Sequence, residues 1–538
     1  MARICCIDFM NSKSITPLNL FAIAAIVSSS LHADVKPNSL FTDGAVLQRG
    51  QPVPVWGTAR DGEKVTVEFA NQKATTTAAA DGKWSVNLKP LKAGGPFSMT
   101  IIGDNSVTVN NLLVGEVWVC SGQSNMEWPF TRTHNAKEEG PKATFPKIRM
   151  FTVERKPSLK PLVEAAGTWV ECSPETVGNF SAVGYFFARD LYQKLGIPVG
   201  MIHTSWGGTP AQSWMSVEGF GADPELQGYA ATASRKHANY DAAAAAYPAQ
   251  LEEFKSKTKE WSETIGKDYQ EALKSWDEAT AQAKQAGQAL PQKPAPASPQ
   301  PKAPADPVGG AYFPTTLYGG MLAPIIPYGI KGAIWYQGEA NAREAKQYRT
   351  LFPAMIADWR ARWKQGNFPF FFVQIAPFED QPPEIREAQF LTLAKVKNTA
   401  MAVTTDVGNA TDIHPTQKEP VGQRLALAAR ALAYGEKIEY SGPLYDSMTT
   451  KGEEIAIKFN HIGSGLVAKD GELKGFTIAG EDKKFVPAQA KIQGSAVIVS
   501  AEGVAAPKAV RYGWANVPDV NLFNQEGLPA SPFRTDVD

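Results

Sequence analysis

The chain has 538 residues, with 54 basic and 54 acidic side chains and a formal net charge of zero. Its apolar content of 43% excludes a disordered chain. The balanced charge offers no electrostatic basis for a nucleic-acid partner or an anionic membrane surface, and it favours an uncharged or weakly charged ligand. The length predicts about three domains.

Residues 1–33 have the pattern of a signal peptide. Lys13 precedes the apolar stretch LNLFAIAAIV, and SSSLHA then leads to Ala33, the predicted last residue to be removed. The apolar stretch is too short to span a membrane. We therefore expect an exported protein, periplasmic or extracellular, without a membrane span.

The cysteines indicate neither a disulfide framework nor a metal site. Cys5 and Cys6 lie in the predicted signal peptide, which leaves Cys120 and Cys172 in the mature chain. These two either form one disulfide or remain buried thiols, and the sequence leaves both possibilities open. No zinc-like spacing occurs in the sequence, which predicts neither a metal nor another cofactor.

Residues 34–113 are predicted to form an N-terminal β domain. Short alternating or aromatic-rich runs such as VPVWG, KVTVEFA and KWSVNL are separated there by DG and GG turns. None of these runs contains a catalytic pattern. We expect a small sandwich.

Residues 114–435 predict an α/β domain with a doubly wound parallel sheet. The runs GEVWVCSG, VGMIHTSW, IKGAIWYQ, FPFFFVQIA and TAMAVTTDV are apolar on both faces, as covered parallel strands are. Helical patterns alternate with them, and AVGYFFARDLYQKL is predicted to begin after Ser181 as N-cap and to end at Gly196. This alternation is typical of βαβ units.

Residues 222–308 interrupt the α/β domain as a predicted helical insertion. The stretch PQKPAPASPQPKAPADP at its end predicts an extended, mobile tether. The insertion could decorate the surface, cover the site or contact a partner. An amphipathic helix is predicted from residues at three- and four-residue steps. They are Leu251, Phe254, Thr258, Trp261 and Ile265.

After Gly435 the pattern becomes β again, which predicts a C-terminal β domain over residues 436–538. EIAIKF, GFTIAG, SAVIVS and AVRYGW are short strands with turn residues between them. The expected architecture is therefore an α/β core flanked by two β-sandwich-like domains.

Polar or glycine-rich residues follow four of the predicted parallel strands. GQSN follows GEVWVCS, GGT follows MIHTSW, QGEAN follows AIWY, and DIHP follows AVTTDVGNAT. The carboxyl ends of parallel strands meet at one edge of a sheet, where open α/β sheets bind ligands. The sequence therefore predicts one site that is built from four distant segments.

Ser124 and His414 are the candidate nucleophile and base. The turn after the first strand would expose the Ser124 hydroxyl, although an ordinary turn serine is the alternative. The other five of the six histidines fall in the signal peptide, the insertion, the C-terminal domain, a polar loop or a strand interior. His414 lies at a strand end, and Asp412 is close enough in sequence to orient its ring.

An oxyanion hole needs donors that point to one position. The backbone N–H groups of Ser124 and Gly208 are candidates, because glycine lets the backbone approach a substrate closely. The side-chain amide of Gln337 is a third candidate. A plain turn at Gly208 and a polar strand end at Gln337 are the alternatives.

SGQSNMEW, SWGGT, WYQGEAN and DIHP, in this order, resemble the motifs of the SGNH hydrolase family. They resemble more closely those of the sialate O-acetylesterase group, which includes related acetylxylan esterases. LFTDGAVLQRGQPVPVWG near the start and NLFNQEGLPASPFRTD near the end resemble the same group. The resemblance covers nearly all of the mature chain except the insertion, and it implies an SGNH-type doubly wound sheet.

The resemblance implies Ser124 as nucleophile and His414 as base, with the N–H groups of Ser124 and Gly208 in the oxyanion hole. In the wider family an asparagine supplies the third donor. This chain reads WYQGEAN there, so that Gln337, or otherwise Asn341, would take that place.

The chain also departs from the family in its acid. The wider family spaces its acid and histidine as D-x-x-H, whereas this chain has D-x-H. Either Asp412, at the motif position, or Glu339, in QGEAN, would therefore orient the histidine.

These observations predict an exported serine-dependent esterase that removes O-acetyl groups from sialic acid, of the 9-O-acetyl type, with an acetylated sugar or glycan as partner. Acetylxylan or another polysaccharide is the alternative substrate. A non-catalytic carbohydrate-binding protein is the alternative of another class.

Gln123, Asn125 and Trp206 are the predicted substrate-binding residues. Four aromatic residues near the motifs could either stack on a sugar ring or pack in the core. They are Trp128, Trp206, Trp214 and Tyr336.

Overall fold

The structure, a computed structural model, describes residues 34–536, so the predicted signal peptide lies outside the described residues. The strands are β1 (Lys36–Pro37), β2 (Val46–Gln48), β3 (Val53–Thr58), β4 (Lys64–Phe69), β5 (Gln72–Thr77), β6 (Lys83–Leu88), β7 (Gly94–Ile102), β8 (Ser106–Gly122), β9 (Phe145–Thr152), β10 (Trp169–Cys172), β11 (Val199–His203), β12 (Gly332–Tyr336), β13 (Phe370–Val373), β14 (Thr399–Ala402), β15 (Leu444–Lys451), β16 (Glu454–Asn460), β17 (Leu466–Ala468), β18 (Phe476–Ala479), β19 (Val486–Pro487), β20 (Gln489–Gln493), β21 (Ala496–Ser500), β22 (Ala509–Tyr512), β23 (Leu522–Asn524) and β24 (Phe533–Arg534). The α-helices are α1 (Ser124–Glu127), α2 (Ala136–Glu139), α3 (Ala182–Leu195), α4 (Gln227–Glu263), α5 (Ile265–Gln285), α6 (Ala345–Trp363), α7 (Pro383–Lys395) and α8 (Glu419–Ala428).

A large central sheet has the strand order β10-β9-β11-β8-β12-β13-β14. Neighbours from β9 to β14 run parallel, and β10 is an antiparallel edge strand. The chain enters the sheet in its middle, adds β9 and β11 on one side, and then adds β12, β13 and β14 on the other. The carboxyl ends of β11, β8 and β12 therefore lie side by side where the winding direction reverses, which is where such sheets bind ligands.

Strand β8 joins the N-terminal β region to this sheet without a break. Its first half pairs with β7 and β2, and its second half pairs with β11 and β12. The predicted boundary between residues 113 and 114 falls inside this one strand. One continuous hydrophobic core extends from Val35 to Ala429, so the N-terminal β region and the α/β region share their packing.

The C-terminal β region has a hydrophobic core of its own, which contains residues from Ile455 to Phe533. It forms two four-stranded sheets, β15-β16-β21-β20 and β19-β18-β22-β24, and the short pair β17-β23. Polar contacts connect it to the α/β region: Gln374 donates to the Ser531 hydroxyl at 2.9 Å, and Arg534 contacts Glu387 at 2.7 Å.

Helix α3 confirms the capping pattern in the sequence. The Ser181 hydroxyl accepts the N–H of Gly184 at 3.0 Å, and Gly196 ends the helix with φ of 66°. Helix α3 packs on α8, and α6 packs on α7. Within residues 34–536, none of the helices combines the length and the apolar character that crossing a membrane requires.

The insertion consists of two helices, α4 and α5, that are broken at Thr264 rather than one amphipathic helix through Ile265. The Pro/Ala-rich stretch that follows lies along this pair instead of extending away from it. The indole N–H of Trp261 donates to the carbonyl of Ser298 at 3.0 Å, and that of Trp276 donates to the carbonyl of Pro291 at 2.8 Å. Two tryptophans thus give a proline-rich segment fixed hydrogen-bond partners.

Cys120 and Cys172 are buried and unpaired in the described part of the chain. Burial raises the pKa of both thiols, so they are neutral at physiological pH. Of the two possibilities that the sequence leaves open, the structure has the buried thiols.

Candidate active site

Ser124 is the first residue of α1 and follows β8 directly. The turn is tight, because the N–H of Gln123 donates to the carbonyl of Tyr336 at 3.0 Å. Gly122 has φ of 138°, and a Cβ there would lie 2.1 Å from the same carbonyl. Glycine is therefore required at position 122. The turn leaves the Ser124 side chain partly exposed at the carboxyl edge of the sheet.

His414 lies in the loop between β14 and α8, and its ring meets Ser124. The distance between His414 Nε2 and Ser124 Oγ is 2.8 Å. The imidazole stacks on the indole of Trp128, with ring centroids 5.1 Å apart and an interplanar angle of 18°. Burial, and then the charge of Lys418, lower the pKa of His414, so that the ring is neutral at neutral pH and able to accept a proton.

Among the described residues, neither candidate acid accepts a hydrogen bond from the His414 ring. Asp412 Oδ1 lies 3.8 Å from His414 Nδ1 and accepts the backbone N–H of His414 at 2.8 Å. Glu339 Oε1 accepts the side-chain amide of Asn125 at 2.6 Å, and Glu339 Oε2 is buried without a hydrogen-bond partner among the described residues. Burial raises the pKa of Glu339.

The Gly207–Gly208 turn after β11 lies next to Ser124. A Cβ on Gly207 would be 3.3 Å from Ser124 Cβ, and the N–H of Gly207 donates to Glu127 Oε2 at 2.5 Å. Glu127 is three residues after Ser124 on α1 and forms an ion pair with Arg155. Gly208 has φ of 75°. The N–H groups of Ser124 and Gly208 have no acceptor among residues 34–536, so both are available to a ligand.

The two candidates for a third oxyanion donor are buried in a network of their own. Gln337 donates to Asn341 Oδ1 at 2.7 Å and to the carbonyl of Thr209 at 3.4 Å, which uses both of its amide protons. Asn341 Nδ2 donates to Gln212 Oε1 at 3.0 Å. Its second amide proton has no acceptor in the part of the chain that the structure describes.

Gln123 and Asn125, which the sequence suggested as substrate-binding residues, are both buried. Gln123 Oε1 accepts the N–H of Ala340 at 3.1 Å. Asn125 Nδ2 donates to the carbonyl of Ile413 at 3.0 Å as well as to Glu339. Their amides connect segments of the protein, and they offer little surface to a ligand.

Lys418, which the sequence analysis does not identify, completes this buried network. Its Nζ donates to Asn125 Oδ1 at 2.5 Å, and its side chain is fully buried. Burial lowers the pKa of Lys418 to about 7, while Glu339 opposes that shift. A lysine four residues after the candidate base was visible in the sequence, but nothing there indicated that it turns inwards.

Three aromatic side chains surround the exposed side of the site. Trp128 and Trp206 are partly exposed, and Tyr312 is 62% exposed. The Tyr312 hydroxyl would lie 3.3 Å from a Cβ on Gly208. Trp214 and Tyr336 are fully buried, so that sugar stacking is excluded for them. Tyr312 was missed in the sequence because it lies beyond the insertion, far from every motif.

Comparisons with known proteins converge on one family. Residues 313–431 match the family model described as carbohydrate esterase, sialic acid-specific acetylesterase. Sialate O-acetylesterase of Mus musculus is 30% identical over 467 residues, 78% of this chain and 78% of the mouse protein. The Rattus norvegicus enzyme is 28% identical, over 96% of this chain and 97% of its own. A crystal structure described as a novel carbohydrate acetylesterase from Xanthomonas citri is 36% identical, with a TM-score of 0.75, covering 94% of this chain and 100% of that one.

Proposed function

Because the chain belongs to the sialate O-acetylesterase family, we propose that it hydrolyses O-acetyl esters of sialic acid, of the 9-O-acetyl type, through a serine–histidine acyl-enzyme. The family resemblance inferred from the sequence motifs is confirmed, and the protein is a carbohydrate esterase. We further propose that the central sheet is of the SGNH type. The winding order of the sheet and the serine at the end of its middle strand support it.

The contact between Ser124 Oγ and His414 Nε2 at 2.8 Å is the observation that carries the proposal. His414 takes the hydroxyl proton as Oγ attacks the acetyl carbonyl, and the resulting oxyanion lies between the N–H groups of Ser124 and Gly208. The bond between the acetyl carbon and the sugar oxygen then breaks, which leaves the acetyl group on Ser124 Oγ, and the imidazolium gives its proton to the departing sugar oxygen. A water molecule then loses a proton to His414, attacks the acetyl carbon and releases acetate.

We assign the orientation of His414 to Asp412 rather than to Glu339. A carboxylate that approaches Nδ1 favours the tautomer with a free Nε2, and Asp412 Oδ1 is 3.8 Å away in the free protein. Catalytic hydrogen bonds are often long before substrate binds, so a small rotation of the exposed Asp412 side chain would complete this contact. Glu339 Oε1 already accepts a hydrogen bond from Asn125 Nδ2.

We propose Asn341 rather than Gln337 as a third oxyanion donor. Gln337 uses both amide protons inside the protein, whereas Asn341 keeps one without an acceptor in the described chain. Reorienting Gln337 would break its hydrogen bond from the Tyr348 hydroxyl at 2.8 Å as well. Such a loss in a buried network is costly.

Replacement of the nucleophile tests the proposed function directly. Ser124→Ala is expected to abolish acetate release from p-nitrophenyl acetate and from 9-O-acetylated sialic acid, because no acyl-enzyme can form. Thermal unfolding at the parent temperature would show that the fold is intact. Parent-level activity of this variant would refute the assignment of Ser124.

Two further measurements separate the alternatives. Acetate release from 9-O-acetyl sialic acid should exceed that from acetylated xylan at equal ester concentration, and the reverse order would favour the polysaccharide esterase. A fluorophosphonate probe should label the parent at Ser124 but not Ser124→Ala. Glycan binding without labelling of the parent would instead favour a non-catalytic carbohydrate-binding protein.

Export of the chain is part of the same proposal and rests on the sequence pattern of residues 1–33. Cleavage after Ala33 would make Asp34 the first residue of the mature protein. Amino-terminal sequencing of protein recovered outside the cytoplasm would show this, whereas a chain that keeps Lys13 would contradict it.

A further inference from the structure

Lys418 is a buried lysine for which the proposed mechanism has no role. Its side chain is fully buried. The charges of Glu339 and Asp412 favour its protonated form but do not offset burial, which lowers its pKa to about 7. Its neighbours are Asn125 Oδ1 at 2.5 Å and the rings of Trp128 and Tyr336, whose centroids are 5.6 and 5.4 Å away. Burial of an amine that has one hydrogen-bond acceptor among the described residues, Asn125 Oδ1, is unfavourable, so a specific role would explain its presence.

The contact with Lys418 decides which way the Asn125 amide faces. An ammonium group only donates, so the carbonyl oxygen of Asn125 must point towards it and the NH₂ group away from it. The NH₂ group then has two acceptors, the carbonyl of Ile413 at 3.0 Å and Glu339 Oε1 at 2.6 Å. If the amide were flipped, its NH₂ group would face the Lys418 ammonium group, and its oxygen would face the Ile413 carbonyl and the Glu339 carboxylate. Donor would then face donor, or acceptor would face acceptor, at all three contacts.

The orientation of Asn125 in turn holds the main chain that carries the base. Ile413 directly precedes His414, so the hydrogen bond from Asn125 fixes the loop at the residue before the imidazole. Asn125 directly follows Ser124, so one side chain links the nucleophile's helix to the base's loop. The face of Trp128 provides a second link, because this ring lies over Lys418 and stacks on His414.

We propose that Lys418 is a positioning residue for the esterase reaction, which orients the Asn125 amide and supports Trp128 so that His414 stays in contact with Ser124. The inference rests on the proposed function, since it assumes that His414 is the base. Lys418 touches neither the substrate nor the reacting atoms, and its effect passes through Asn125 and Trp128.

Several charged groups face His414, and they determine what removal of Lys418 does to the base. Burial and the charges of Lys418 and Arg132 lower the pKa of His414, whereas Asp412 and Glu127 raise it. Loss of the Lys418 charge therefore raises the pKa of His414. Activity requires the neutral ring, so the acid limb of the pH profile should move to higher pH.

The substitution Lys418→Met removes the charge and the donor while keeping the length of the side chain. In the full-length protein we expect kcat/KM for 9-O-acetyl sialic acid to fall about 10- to 100-fold, mainly in kcat, because small displacements of a catalytic group have effects of this size. The acid limb should move to higher pH, and labelling of Ser124 by a fluorophosphonate should slow in parallel. Lys418→Gln is a second neutral variant if the methionine variant does not fold.

A double-mutant cycle tests the route through Asn125. Asn125→Leu removes the amide at similar volume, and in that background Lys418→Met should add little further loss. Lys418→Arg, which keeps charge and donors, should recover part of the activity and the position of the acid limb. Lys331→Met is a matched control, since Lys331 also lies over a tyrosine, Tyr434 at 5.2 Å, but its side chain has no hydrogen bond to a site residue within residues 34–536. The kcat/KM of this variant should stay within about twofold of the parent value.

Two results would overturn the inference. One is a Lys418→Met variant that keeps parent kcat/KM and an unmoved acid limb. The other is additive loss with Asn125→Leu, which would assign Lys418 a separate, structural role. Either result leaves the proposed function standing if Ser124→Ala is inactive, whereas an active Ser124→Ala would remove the function itself.

Discussion

Two loops meet over Ser124, and the side chain that anchors each loop to α1 lies in a different environment. In the glycine loop, residues 204–209 after β11, this anchor lies near solvent: Gly207 donates to Glu127, and Glu127 pairs with Arg155, which is 45% exposed. The histidine loop, residues 403–418 after β14, is held from inside by the buried Asn125 and Lys418. Ion pairs near solvent are weak and screened, whereas buried polar networks are costly to break. The site therefore has one anchor near solvent, at Glu127, and one buried anchor, at Asn125.

The largest effect that we expect on the glycine loop comes from its backbone rather than from its anchor. Gly208→Ala places a Cβ on a residue with φ of 75° and within 3.4 Å of the Tyr312 ring. The N–H of residue 208 would turn away, and kcat should fall about 10- to 100-fold, less than the roughly 10²–10³ for complete loss of an oxyanion donor. Steady-state kinetics would measure this. Gly221→Ala, at a glycine with φ of 55° in another loop, is the control for backbone strain alone.

On the histidine loop, the two candidate acids should differ in effect. Asp412→Asn is expected to lower kcat about tenfold, because a neutral amide stabilises the imidazolium less well. Glu339→Gln should lower it less, since the glutamine oxygen still accepts from Asn125. Kinetics of both variants at one pH gives the comparison. A greater loss for Glu339→Gln would transfer the orienting role to Glu339.

A smaller effect is expected at the surface anchor of the glycine loop. Glu127→Gln keeps an acceptor for Gly207 but loses the ion pair with Arg155, and kcat/KM should fall only about threefold, as exposed pairs contribute little. Added salt should reduce the difference between this variant and the parent. Asn125→Leu, at the buried anchor, should lose more and show no such salt dependence. Equal losses of kcat/KM at both anchors would contradict the distinction between the solvent-side anchor and the buried one.

The smallest effect concerns pH. Because burial and Lys418 lower the pKa of His414, the acid limb of kcat/KM should lie below the value of about 6.5 for an ordinary imidazole. The base is active when neutral, so activity falls as the pH drops through this pKa and is retained above it. A pH–rate profile of the parent protein measures it. A limb above that ordinary value would mean that the nearby carboxylates outweigh burial.

Much of the fold follows from local patterns. Five predicted apolar runs form parallel strands, and helix α3 begins after Ser181 and ends at Gly196. Both features are predictable because burial on both faces and helix capping depend on a short segment of the chain. The strand β9 was not predicted. Its sequence FPKIRMFT mixes charged and apolar residues, since it is buried only in part. The break between α4 and α5 at Thr264 was not predicted either.

The catalytic pair was predictable because few residues in the sequence could act as nucleophile or base. Ser124 and His414 were found from strand ends and by elimination, and they lie in contact. Gln123, Asn125 and Gln337 were interpreted as groups available to a ligand, but their amides have partners inside the protein. An amide in a sequence does not reveal its hydrogen-bond partner, because that partner comes from a distant segment.

The amino-acid pattern alone therefore determines which segments become strands and helices and which residue types stand at the strand ends. Only the tertiary structure decides the rest: that Lys418 points inwards against Asn125, that Glu127 holds Gly207, and that Tyr312 borders the site. The physical reason is range. Propensity and capping act over a few residues, whereas burial, desolvation and the choice of a hydrogen-bond partner depend on segments that the folded sheet brings together.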